Sequence, residues 1–185
     1  MAFIKVINET EAKGELKKIY KDIIGTRGKL SNIMKIHSLY PESMVKHMEL
    51  YKSIMFNKSG ISREVKEIIA VIVSVNNKCD YCIKHHSEAL LFYWKNPGRI
   101  EALIKDYNQA DMDGKTKILL KYSAKLTTEP NNISEEDISE IKSFGWNDED
   151  ILSANLIISY FNFVNRIALG LGVEFSEEEI KGYKY

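Results

Sequence analysis

Long hydrophobic runs are missing from this 185-residue sequence. No stretch approaches the roughly 20 apolar residues that a membrane-spanning helix needs. The opening, Met1-Ala2-Phe3-Ile4-Lys5-Val6, has neither the basic segment nor the apolar segment of a signal peptide. Proline occurs 3 times and glycine 10 times, which excludes collagenous and low-complexity classes. Charge of one sign is not in excess: 26 Lys and Arg balance 26 Asp and Glu. A generic nucleic-acid binder needs a basic footprint, so that class is set aside. Cysteine occurs only twice, too seldom for a disulfide framework. These absences lead to the expectation of a cytoplasmic globular protein with neither membrane nor nucleic acid as partner.

What is present fits one domain spanning residues 1–185. Hydrophobic residues make up 44% and charged residues 28%, enough to close a core without a staple. Helical spacing dominates. Leu16, Ile19, Tyr20, Ile23 and Ile24 predict a helix over about 9–24, with Gly25 as its stop. Ile33, Ile36 and Leu39 predict a short helix before Pro41, and Pro41 opens the next. Ser62 reads as the cap of a buried helix to about Val75, although Ile68 to Val73 alone would also suit a buried strand. Further helices are expected over about 79–94, 99–106 and 113–126. Ser134 opens a short one that ends near Gly145. Asn147 opens a long one to about Leu169, and Ser176 a short tail helix. A faint echo relates Ser62–Cys82 to Asn147–Asn165, where Asn162 and Asn165 fall as the cysteines do. An ancient duplication and two merely similar helices explain it equally. Residues 129–150 carry eight acidic groups and one Lys, read as a solvated face.

The two cysteines are three residues apart, Cys79-Asp80-Tyr81-Cys82. A loop this short removes little entropy from an unfolded chain, so a structural staple is a poor account. Redox chemistry and metal binding remain, beside the plain alternative of two small buried apolar residues. On one helix, Cys79, Cys82 and His86 fall within about 60 degrees of one another. Cys82 and His86 are an i,i+4 pair, so the imidazole can take the thiol proton. Cys79 stands where the positive end of the helix dipole lowers thiol pKa values. Glu67 precedes the break at Asn76–Lys78, and a fold-back there would bring it to His86 to complete a proton relay. A solvated first-turn carboxylate is its alternative. Zinc is a weaker reading, because Cys79, Cys82 and His86 have no second cysteine pair to close a tetrahedron. His85, at i+3 from Cys82, could substitute for His86 but is expected to face solvent, and His37 and His47, without nearby chemical partners, are read as ordinary surface or satisfied histidines. Phe92, Trp94 and Phe161 to Phe163 are read either as core or as walls of an apolar pocket near Cys82.

The pattern Glu67-x11-Cys79-x-x-Cys82-x-x-x-His86 resembles the signature of the alkylhydroperoxidase D (AhpD)-like proteins of the carboxymuconolactone decarboxylase superfamily. The segment Tyr160 to Val173 is similar to the C-terminal helix of the peroxidase-related branch, so the likeness spans about residues 30–175. It implies an all-α, AhpD-like domain and a thiol-dependent peroxidase acting on organic hydroperoxides. Cys82 would be the peroxidatic thiol, Cys79 the resolving thiol, and His86 and Glu67 the relay, with no cofactor. It also implies a homo-oligomer (dimer, trimer or hexamer) and a reductant such as a lipoyl-bearing or thioredoxin-like protein. One departure stands out: Tyr81 occupies the place of a second relay histidine, and tyrosine is a poor base near neutral pH. Two other readings follow from the residues. One is a thiol–disulfide oxidoreductase or redox sensor with little peroxidase activity. The other is a zinc-binding or structural helical oligomer.

Overall fold

Side-chain caps start the helices that build the centre of the molecule. The computed structural model describes residues 2–184, and these contain helices and turns but no strand. The helices are α1 (Gly14–Arg27), α2 (Asn32–Lys35, continued by a 3-10 turn over Ile36–Leu39), α3 (Pro41–Met55), α4 (Arg63–Asn76) and α5 (Asp80–Trp94). They continue as α6 (Pro97–Lys105), α7 (Gly114–Thr128), α8 (Glu135–Ser143) and α9 (Asp148–Gly170). Ser62 Oγ accepts the Val65 N–H at the head of α4, and Asn147 Oδ1 accepts the Asp150 N–H at the head of α9. Ser134 and Asp137 form the capping box of α8.

The apolar run Ile68 to Val73 is a helix and not a strand. It is buried on every side because α4 is enclosed by α5, α7 and α9. A helix wrapped in this way needs no polar face, which is why its sequence shows so little alternation. Lys66 is one buried polar residue here, and its stem lies in the core while Nζ binds the carbonyls of Ile54 and Asn57 and the side chain of Asn57. A second, smaller cluster joins α1 to α2 and α3 through Leu16, Ile19, Tyr20, Ile23, Met34 and Met44.

Three expectations are corrected. Helix α1 begins at Gly14 and passes through Gly25; it stops at Gly28, whose φ of 81° closes the end in the left-handed conformation. Residues 9–11 form a turn. The Ser176 segment is a turn rather than a helix: the N–H groups of Glu179 and Ile180 both return to the Ser176 carbonyl, and the chain then leaves. The echo also fails at the level of backbone. The first copy breaks after Asn76, with Lys78 at φ 56°, whereas α9 runs through Asn162 and Asn165 without interruption. No helix among the described residues is long and apolar enough to cross a membrane.

Candidate active site

The tight corner between α4 and α5 creates the site. Asn77 ends α4, Lys78 takes the left-handed conformation, and Cys79 caps α5 while its N–H returns to the Ser74 carbonyl at 3.0 Å. Two asparagines of α9 hold this corner. Asn162 Oδ1 accepts from Asn77 Nδ2 at 2.9 Å, and Asn165 Nδ2 donates to Ser74 Oγ at 3.4 Å. The Asn162/Asn165 pair therefore buttresses the cysteine corner and does not mirror it.

Cys79 and Cys82 are free thiols, both buried, with sulfurs 2.7 Å apart and joined by a hydrogen bond. The hydrogen bond from Cys82 pulls the Cys79 thiol below its ordinary range, against the upward push of burial. The same bond and burial push the Cys82 thiol up. The two thiols share this hydrogen bond and so titrate as one unit, with Cys79 at the positive end of α5. The two cysteines line different spaces. Cys82 lines a cavity of about 100 Å³ together with Glu67, His86, Tyr160 and Phe161. Cys79 lines a separate cavity beside Phe3 and Gly172.

The fold-back at the corner brings Glu67 to His86, with Oε2 2.7 Å from Nδ1. Glu67 is 1% exposed, which rules out a solvated carboxylate. Burial alone would raise its pKa. The hydrogen bond and charge of His86, and the guanidinium of Arg63 on Oε1, more than offset this and hold the carboxyl below its usual range. Because Nδ1 is committed to Glu67, Nε2 is the nitrogen left for proton exchange, and it has no protein partner among the described residues. The His86 ring stands edge-on to Phe161, with centroids 4.4 Å apart.

His85 does not face solvent. Its Nε2 lies 2.6 Å from Glu179 Oε2, and its ring rests on Tyr81. Glu179 also accepts from Tyr81 Oη and from the Asn32 N–H, while Tyr81 Oη accepts the Ile33 N–H. Burial first, and then the Glu179 charge, push the Tyr81 hydroxyl well above its ordinary pKa, so it serves as a donor and not a base. A second His–Glu pair thus lies beside the first, and both histidines line the Cys82 cavity.

His37 and His47 are satisfied histidines, with partners that the sequence did not identify. Ser43 Oγ meets His37 Nδ1 at 2.8 Å, His37 Nε2 meets His47 Nδ1 at 2.9 Å, and His47 Nε2 meets Tyr160 Oη at 2.7 Å. Ser43 donates its only hydroxyl proton to the Tyr40 carbonyl, so it accepts from His37. With both rings neutral, the bonds then run from Tyr160 to His47 to His37 to Ser43. Tyr160 spends its proton on His47 and can only accept on the cavity side. Of the aromatics anticipated as walls, Phe161 lines the cavity, Phe92 and Phe163 are exposed, and Trp94 donates to Glu64. Among the described residues no group of three or more His, Cys, Asp or Glu side chains is placed to hold a metal ion.

Arg63 was legible as an i−4 partner of Glu67. Tyr160 and Glu179 were not, because they lie 113 residues from His47 and 94 from His85.

The carboxymuconolactone decarboxylase family model matches residues 41–115, which hold Glu67, both cysteines and both adjacent histidines. A peroxidase-related protein of Silicibacter sp. TM1040 is 27% identical, with a TM-score of 0.84 over 95% of this chain and 94% of that one. The alkylhydroperoxidase AhpD core protein of Ralstonia eutropha JMP134 shares the fold at 21% identity and TM-score 0.87, over 97% and 94%. The debrominase Bmp8, in a cysteine-to-alanine variant complexed with 2,3,4-tribromopyrrole, shares it at 20% identity and TM-score 0.79, over 96% and 97%. The chain therefore has an all-α, AhpD-like fold with a cysteine pair near a helix start, and its similarity to the carboxymuconolactone decarboxylase family lies in residues 41–115.

Proposed function

We propose that the protein is a thiol-dependent peroxidase that reduces organic hydroperoxides at Cys82. The observation that carries this reading is the division of labour between the sulfurs. Cys82 shares its cavity with the His86–Glu67 pair, while Cys79 lies 2.7 Å away and outside that cavity.

His86 Nε2 takes the Cys82 proton, and Glu67 stabilises the imidazolium that results. The Cys82 thiolate attacks the terminal peroxide oxygen. An S–O bond forms, the O–O bond breaks, and the leaving alkoxide takes the proton back from His86 as an alcohol. Cys82 is then a sulfenic acid. Cys79 attacks its sulfur, water leaves, and a disulfide forms. The lowered pKa of Cys79 suits this second step, which needs a thiolate. A dithiol of the lipoyl or thioredoxin class restores both thiols. Tyr81 is no relay base in this scheme, and the His85–Glu179 pair stands beside the site in its place.

A second reading, thiol–disulfide exchange with Cys79 as nucleophile, is favoured by the low Cys79 pKa and by its own cavity. A steady-state assay with cumene hydroperoxide and dihydrolipoamide separates the two. The peroxidase reading expects Cys82→Ser to lose turnover and Glu67→Gln to slow it by about 100-fold, the scale of general acid–base catalysis. Full turnover in Cys82→Ser would overturn it. Faster alkylation of Cys79 than of Cys82, without peroxide turnover, would favour exchange.

A further inference from the structure

Arg27, in the last turn of α1, lines the same cavity as Cys82. Its guanidinium donates once, from Nη2 to Tyr51 Oη at 3.3 Å, and lies 5.2 Å from the Tyr51 ring centroid and 5.7 Å from that of Phe56. No carboxylate forms an ion pair with it among the described residues. Arg63 makes the contrast clear. It donates to the same Tyr51 oxygen at 3.1 Å, but its charge is met by Glu67.

The rest of the wall sharpens the imbalance. Lys29 is a second lining cation, and its Nζ is held by the backbone carbonyls of Glu178 and Lys181, with no carboxylate partner among the described residues. Among the described residues Glu67 is the one acidic side chain on the wall, and Arg63 and His86 already engage it. Glu179 is taken up by His85, Tyr81 and the Asn32 N–H. Much of the remaining wall is apolar, with Ile23, Ile33, Met34, Met48 and Val164. A half-buried guanidinium with most of its five N–H groups unused, set in an apolar wall, is a fork for a planar oxyanion.

We propose that the cavity selects organic hydroperoxides that carry a carboxylate, with Arg27 holding the carboxylate and the apolar body lying between it and Cys82. Arg27 is thus a specificity-determining residue remote from the reacting atoms. The proposal rests on the peroxidase reading for the chemistry that follows binding, though not for the binding itself.

A matched pair of substrates tests it: cumene hydroperoxide and the same molecule with a para-carboxylate. The wild-type protein should prefer the carboxylate in kcat/KM by about tenfold or more, the scale of a charge-assisted pair. Arg27→Gln should erase most of that ratio, chiefly through KM. Because the ratio is read within each protein, a general loss of stability or activity does not imitate the effect. An unchanged ratio in Arg27→Gln would overturn the proposal. If the wild type reduces neither compound, the peroxidase reading fails, and calorimetry on the reduced protein still decides the role of Arg27. 4-Isopropylbenzoate should bind about tenfold more tightly than 4-isopropylbenzamide to the wild type and no more tightly to Arg27→Gln. Equal binding of acid and amide by the wild type would overturn it.

Discussion

His47 illustrates how far a buried ring departs from its behaviour in water. Burial, and then the neighbouring His37, lower its pKa from 6.5 to about 3. The folded protein therefore keeps His47 neutral at pH values where the unfolded chain has already bound a proton. The stability this provides is complete above pH 6.5 and is lost progressively as the pH falls toward 3. Thermal melts between pH 7 and 4.5 should show the wild-type midpoint falling, and His47→Gln should flatten part of that slope. Parallel slopes would mean that His47 is not held neutral. Glu67 has a depressed pKa as well, so its contribution is present above the ordinary carboxylate range and is lost only below it. Between pH 6.5 and 4.5 the loss is that of His47, and below 4.5 the two losses overlap. His47 gave no sign of this in the sequence, because its partner Tyr160 comes from another helix and no local pattern links the two.

At the scale of elements, the corner between α4 and α5 was legible and its supports were not. The cap at Ser62, the break at Asn76–Lys78 and the spacing of Cys79, Cys82 and His86 are local features, and local rules describe them. The tail was misjudged for a physical reason. Ser176 with three following glutamates resembles a helix start, but Glu179 is drawn into bonds with His85, Tyr81 and Asn32, which outweigh local helix preference. The connection between α3 and α4 is tied to α9 in a similarly nonlocal way. Asp150 Oδ1 accepts the Gly60 N–H at 2.8 Å, and a Cβ at Gly60 would meet that oxygen at 2.5 Å. Gly60→Ala should therefore destabilise the fold by about 1–3 kcal/mol, which for a chain of this size lowers the melting midpoint by roughly 2–10 °C. A midpoint equal to the wild type's would show that Asp150 moves away at no cost.

In the whole molecule, a buried helix carries Glu67, a second helix carries both sulfurs and both adjacent histidines, and α9 closes the cavity with Tyr160 and Phe161. The end of α1 and the segment after it add Arg27 and Lys29 to that wall, which no motif announced. The sequence signature located the reacting groups because they lie within 20 residues of one another. The cavity around them is assembled from four distant parts of the chain, and its charge became visible only when those parts were brought together. The central claim is that Cys82 meets the peroxide and Cys79 resolves it. Intact mass after one equivalent of an organic hydroperoxide tests this most directly, with reduced wild-type protein beside Cys79→Ser. The account predicts that the wild type loses two hydrogens as the disulfide forms, and that the variant gains one oxygen on Cys82. A variant that gains no oxygen, while Cys82→Ser gains one on Cys79, would contradict it.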